Sequence, residues 1–194
     1  DSLTGTLRSR FVVRGWLDSL DVNGTLEGSD LLARAQHAHG VRGTVAVQQV
    51  KGRATGTVSL EADTITAAGI HIESATLAAR LLDKGNALFS ATGTAGNGTA
   101  LRASGAYMAV ADSTDVRLDT LDIAIGPSRW SLLLPMRVRT TPDGLTVDTL
   151  LLGAGAARLA GSANIPTNAP VRGHLRADRL PLADIGVLAQ LKTA

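Results

Sequence analysis

Val171-Arg172-Gly173-His174-Leu175-Arg176-Ala177-Asp178 alternates without exception: an apolar or small residue, then a polar one. A period of two is the period of a β-strand, whose successive side chains point to opposite faces. One face of this strand is therefore apolar and the other is charged.

The same pattern recurs along the chain. Trp130, Leu132, Leu134, Met136 and Val138 alternate with Arg129, Ser131, Arg137 and Arg139. Leu20, Val22 and Leu26 oppose Asp21, Asn23 and Glu27, and Val58, Leu60 and Ala62 oppose Ser59, Glu61 and Asp63. Leu145 and Val147 alternate with Thr146 and Asp148. Turn chemistry separates the runs at Glu27-Gly28-Ser29-Asp30, Asp83-Lys84-Gly85-Asn86, Gly96-Asn97-Gly98, Gly126-Pro127-Ser128 and Pro142-Asp143-Gly144. Asn-Gly and Asp-Gly supply the positive φ that tight hairpins need. The expected topology is an antiparallel meander of about a dozen strands.

Several strands carry a slip in apolar parity. Val116 and Leu118 are even-numbered, whereas Leu121, Ile123 and Ile125 are odd; Ile70 and Ile72 give way to Leu77 and Leu81. An extra residue turns every later side chain to the other face unless a bulge absorbs it, so these slips predict bulged, bent strands. Only one segment reads as helix, a short one over 180–191 after Leu180-Pro181, with Asp184 in its first turn.

Composition narrows the function. Hydrophobic residues make up 44% but aromatics only 3%, so the apolar face is built from Leu, Val, Ile and Ala. Without Cys there is neither a disulfide framework nor thiolate chemistry. The net charge of +2 comes from interspersed charges without a run of four basic residues, which argues against a nucleic-acid partner. His37 and His39 share a strand face but lack a carboxylate cluster in sequence, and Asp119 and Asp122 straddle a parity slip. Gly93-Thr94-Ala95-Gly96-Asn97-Gly98 lacks the Lys-Ser/Thr of a phosphate loop and reads as a hairpin. No enzyme, metal or cofactor is expected.

A sheet with one apolar face must bury it. Five aromatics are too few for the girdles of a membrane barrel, and there is no fixed repeat for a β-helix. A sandwich remains open. The best fit is a single 1–194 domain in which a long sheet bends into a trough. Its expected floor is Leu26, Val45, Val47, Val58, Leu60, Leu77, Leu101, Tyr107, Leu118, Trp130, Leu132, Leu134, Met136, Val138, Leu145, Val147, Leu159 and Leu175.

Gly5-Thr6-Leu7, Asn23-Gly24-Thr25-Leu26, Ala54-Thr55-Gly56-Thr57-Val58 and Leu159-Ala160-Gly161-Ser162-Ala163 resemble the repeated strand signature of the TamB/AsmA-like β-groove proteins. The strand series Leu118–Ile123, Trp130–Leu132 and Asp143–Val147, and the ending Leu180-Pro181-Leu182-Ala183-Asp184-Ile185, are similar to the same family. The likeness runs from about residue 3 to 190. It implies an all-β, taco-shaped groove in the periplasm, part of a parent chain anchored in the inner membrane. It further implies phospholipid acyl chains as cargo moving between inner and outer membranes, and an Omp85-type outer-membrane partner (TamA-like) reached through the parent. The alternative is a binding or chaperone module for outer-membrane protein assembly. The chain starts at Asp1 with no charged-then-apolar leader and no apolar span, so it is expected to be a piece of a longer protein. Cut sheet edges would let the isolated piece self-associate.

Overall fold

The computed structural model describes residues 3–16, 19–33, 36–49, 53–67, 70–96, 98–110 and 112–181. They form one antiparallel sheet of thirteen strands. These are β1 (Leu3–Trp16), β2 (Ser19–Ala33), β3 (Gln36–Gln48), β4 (Thr55–Ala67), β5 (Ile70–Leu81), β6 (Ala87–Ala95) and β7 (Ala100–Val110). The series continues with β8 (Ser113–Ile125), β9 (Ser128–Leu132), β10 (Met136–Thr141), β11 (Gly144–Ala154), β12 (Ala157–Pro166) and β13 (Arg172–Asp178). Apart from β9 and β10, each strand pairs with its neighbours in sequence, so the topology is a meander. β9 and β10 share one rung: β9 pairs with Asp122–Ile125 of β8, and β10 with Thr114–Leu118. That leaves twelve rungs, with β1 and β13 as the edges of the sheet among the described residues. The helix expected over 180–191 lies almost wholly outside the described residues.

Register fixes which side chains share a face, because directly paired residues in an antiparallel ladder point the same way. Val13, Val22, Val47, Gly56, Leu81, Ala87, Tyr107, Val116, Val138, Val147, Ala163 and Gly173 are successive partners across all twelve rungs. Every one is apolar or glycine. At about 4.8 Å per rung the row spans ~50 Å. The row beside it runs Phe11, Gly24, Val45, Val58, Ala79, Phe89, Gly105, Leu118 and Met136. The opposite face carries rows such as Arg8, Glu27, Arg42, Glu61, Thr76, Thr92, Arg102 and Asp122.

The apolar face is the sheltered one although among the described residues no second layer covers it: strands make extensive contacts only with their hydrogen-bonded neighbours. Most of its residues are half-buried or buried, while most on the polar face are exposed. With one layer only, that asymmetry requires the sheet to curl toward its apolar side. A face-to-face sandwich is thereby ruled out for the described residues.

The bends are visible as irregularities that line up across strands. In the first half, register shifts at Gly5 in β1 and at Glu73 in β5 flank Asp30 and Thr64, both non-glycines with φ of 51°. In the second half, β8 carries an extra residue at Asp119, the β9–β10 rung breaks at 133–135, and β11 shifts between Val147 and Leu150. A bulge bends its strand and sharpens the twist, so bulges in line crease the whole sheet. The expected parity slips in β8 and β5 fall at such bulges: Leu118 and Leu121 share the apolar face, as do Ile72 and Leu77. The stretch Glu27–Asp30 is not a turn. It lies inside β2, where Glu27, Gly28 and Ser29 are paired on both sides and Asp30 spends its turn-forming conformation on the bulge.

Thr64 is β-branched and sits in the left-handed region, where such side chains are strained by roughly 1–3 kcal/mol. Thr64→Gly should therefore stabilise the fold by about 1 kcal/mol, after the entropic cost of glycine, and raise the melting temperature. Gly5→Ala should do the reverse, because φ is +120° there and a Cβ would lie 2.5 Å from the Asp30 carbonyl oxygen. A thermal melt of both variants checks the crease.

Candidate functional site

The candidate site is the apolar face itself. The residues expected to line it fall on it with one exception. Leu26, Leu60 and Leu77 lie in one row; Val45, Val58, Leu118 and Met136 in the next; Val47, Tyr107, Val138 and Val147 in the long row. Leu101 pairs with Ile123, which faces Trp130, and Leu132, Leu145, Leu159 and Leu175 share the same side. The exception is Leu134. It stands in the break between β9 and β10, has no register partner and is 55% exposed. The alternation from Trp130 to Val138 keeps its parity across this break, which hid it in the sequence.

The face divides into two regions. Ile125, Trp130, Leu152 and Ala157 form a buried cluster, packed by Leu121, Ile123, Leu132, Leu150, Ala154 and Leu159. Here the protein's own side chains fill the trough. Trp130, Leu132 and Leu159 thus belong to a packed core. Over β4–β7 the floor stays open: Leu60 and Leu77, a direct cross-strand pair, are 38% and 43% exposed. Leu101 and Tyr107 are also exposed. Toward β13 a shallow hollow of about 380 Å³ has Val147, Leu150, Gly161, Ala163, Gly173 and Leu175 in its lining.

Sequence reasoning missed several members of this face. Leu7, Phe11 and Val13 on β1, Ile65 and Ile72 beyond the first crease, and Leu150 and Leu152 beyond the second all lie on it. The signal was available, since Leu7, Phe11 and Val13 alternate with Arg8, Arg10 and Arg14, and Leu150 and Leu152 take the opposite parity to Leu145 and Val147.

The polar face holds itself together by local pairs. Hydroxyls meet across strands at Thr44–Ser59 (2.6 Å), Thr76–Thr92 (2.6 Å) and Ser104–Thr120 (2.8 Å). The Ser131 hydroxyl donates to Asp122 at 2.6 Å. His39 Nδ1 lies 2.7 Å from Asp30 Oδ1 and His37 Nε2 lies 3.9 Å from it, so the first crease brings a carboxylate to both imidazoles, which sequence distance concealed. All three side chains are well exposed, and among the described residues no three His, Asp or Glu groups are arranged to hold a metal ion.

The best-formed ion pair joins β10 to β8. Arg139 donates from Nε and Nη2 to the two Asp115 oxygens at 3.0 and 3.2 Å. These hydrogen bonds lower the Asp115 pKa, and the positive charges of Arg139 and Arg137 add to the effect. The bound carboxylate favours the folded state above the ordinary aspartate pKa of about 3.9, and that contribution is lost as pH falls through the lowered folded value. Asp115→Asn should therefore flatten the acid limb of the stability–pH curve below about pH 4. Denaturation midpoints of both proteins across that range check it.

Comparison of the chain with family models, with curated proteins and with solved structures finds no match.

Proposed function

We propose that this chain is a non-catalytic lipid-carrying module, whose apolar trough holds acyl chains and lets them move along the row of strands. One observation carries the reading: twelve consecutive rungs present an apolar row about 50 Å long, and among the described residues no second layer covers it. Ordinary monomers rarely leave more than a few hundred Å² of contiguous apolar surface open. An acyl chain on such a floor gains roughly 0.8 kcal/mol per buried CH₂. Because the open floor carries no charged side chain and is built mostly of Leu, Val, Ala and Gly, an acyl chain meets no polar anchor along it, while headgroups remain in water at the strand ends.

The pattern resemblance to the TamB/AsmA-like proteins supports the same reading and adds the setting: the periplasm, between an anchored parent protein in the inner membrane and the outer membrane. A second reading is an assembly module for outer-membrane proteins. The open β1 edge favours it, since an incoming strand pairs with a free edge by β-augmentation.

Native mass spectrometry of the purified chain, followed by organic extraction, tests the first reading. Phospholipid-sized adducts that extract as phospholipid are the expected result. A folded, adduct-free chain that takes up no lipid from phospholipid vesicles would overturn it.

A further inference from the structure

We infer that β13 is the interface for a second copy of this chain, joined edge to edge about a two-fold axis through Leu175. Among the described residues neither edge strand has a further partner, and all seven residues of β13 are exposed, Leu175 at 72%. What distinguishes β13 from β1 is the order of its charges. On its polar face Arg172, His174, Arg176 and Asp178 follow in turn, with Gly173, Leu175 and Ala177 on the apolar face.

Antiparallel pairing of β13 with itself, centred on Leu175, puts Arg172 opposite the partner's Asp178 and Asp178 opposite the partner's Arg172. Two opposite-charge pairs form at once, as symmetry requires of an isologous contact. Gly173 then faces Ala177, and Leu175 faces its own copy on the apolar side. The remaining polar pair sets His174 against Arg176. Neither Arg172 nor Asp178 has an ion-pair partner of its own among the described residues, so both are available. Asp178 ends a row in which Arg158 is its cross-strand neighbour, and an incoming arginine continues that alternation of sign.

The other pairings are poorer. β1 carries Arg8, Arg10 and Arg14 on its polar face with no acid, so β1 against β1 sets arginine near arginine in the middle of the strand. β1 against β13 forms at most one opposite-charge pair in any register, because Asp178 is the only acid on the polar face of either edge among the described residues. The two-fold pairing leaves both apolar faces on the same side, so two troughs join into one. This contact is independent of whether lipid occupies the trough.

The contact is an edge only, hence small, and a weak, concentration-dependent dimer is expected. Sedimentation equilibrium of the wild-type chain should show it. Asp178→Arg should raise the dimer dissociation constant at least tenfold, and the charge swap Arg172→Asp with Asp178→Arg should restore it. Leu175→Cys, in a chain with no other cysteine, should oxidise to a disulfide-linked dimer much faster than Leu7→Cys on the equally open β1 edge. A wild-type chain that stays monomeric at every concentration overturns the inference. So does a dimer that ignores Asp178→Arg, which is the behaviour of two chains meeting through their apolar faces. A charge swap that fails to restore the dimer, or equal cross-linking at both edges, overturns it as well. Lipid adducts should persist in the Asp178→Arg chain, so loss of the dimer and loss of the lipid site are separate results.

Discussion

Replacing Leu77 with aspartate should strip phospholipid from the purified chain, lowering lipid occupancy at least tenfold. Leu77 sits mid-sheet on the open part of the floor, opposite Leu60, with β6 on its other side. An acyl chain lying along the rows must cross this position. An ionised carboxylate pressed against it loses water and gains no partner, a cost of several kcal/mol against 1.4 kcal/mol for each tenfold in occupancy. The loss also reaches beyond one site, since a charge midway divides the trough into two shorter ones.

Folding is a smaller concern here than in a packed core. Leu77 is 43% exposed, so its removal empties no closed cavity and the new carboxylate stays within reach of water. The control is Ala78→Asp, the next residue in β5, which points to the polar face opposite Ser59 and Ser90. Far-ultraviolet circular dichroism should show both variants folded, with lipid retained by Ala78→Asp alone. Retention of lipid by Leu77→Asp would sink the trough as a lipid site, and equal loss in both variants would place the lipid elsewhere.

Much of this architecture was legible because a period of two is hard to mistake. The runs around Leu60, Leu132 and Leu175 each identify a strand and its apolar side from local sequence alone. Parity slips at Leu118 and Ile72 gave the bulges, because only an extra residue reconciles them with one continuous face. Four things were not legible, each for a physical reason. Gly28-Ser29-Asp30 has the same chemistry in a bulge as in a hairpin, and only long-range pairing with β1 and β3 distinguishes the two. The break at 133–135 preserves parity, so alternation carried Leu134 onto the floor. The division of the face into packed cluster and open floor depends on how β8, β9, β11 and β12 curl together, and no local pattern encodes that. The proximity of Asp30 to His37 and His39 is likewise a product of the β2–β3 register.

Trp130→Ala should be the most destabilising single truncation in the chain. Trp130 is 6% exposed and lies among Ile125, Leu152 and Ala157, the one cluster of mutually packed buried side chains among the described residues. Removing a buried tryptophan costs about 3–5 kcal/mol, a large share of the roughly 5–15 kcal/mol that holds a domain together. For a chain of this size, each kcal/mol shifts the melting temperature by about 2–4 °C, so a fall of roughly 6–20 °C is expected. Trp16, at 86% exposure on the open β1 edge, provides the contrast: Trp16→Ala should stay within about 0.5 kcal/mol of the wild type. The comparison tests the division of labour along the trough. If the protein's own side chains close one end and leave the rest for a ligand, Trp130→Ala should melt early yet still carry lipid when assayed well below its midpoint. A drop of only a few degrees would mean that the strand ladders, spread over thirteen strands, hold the sheet without a core. The cluster at Trp130 would then be one more stretch of open floor.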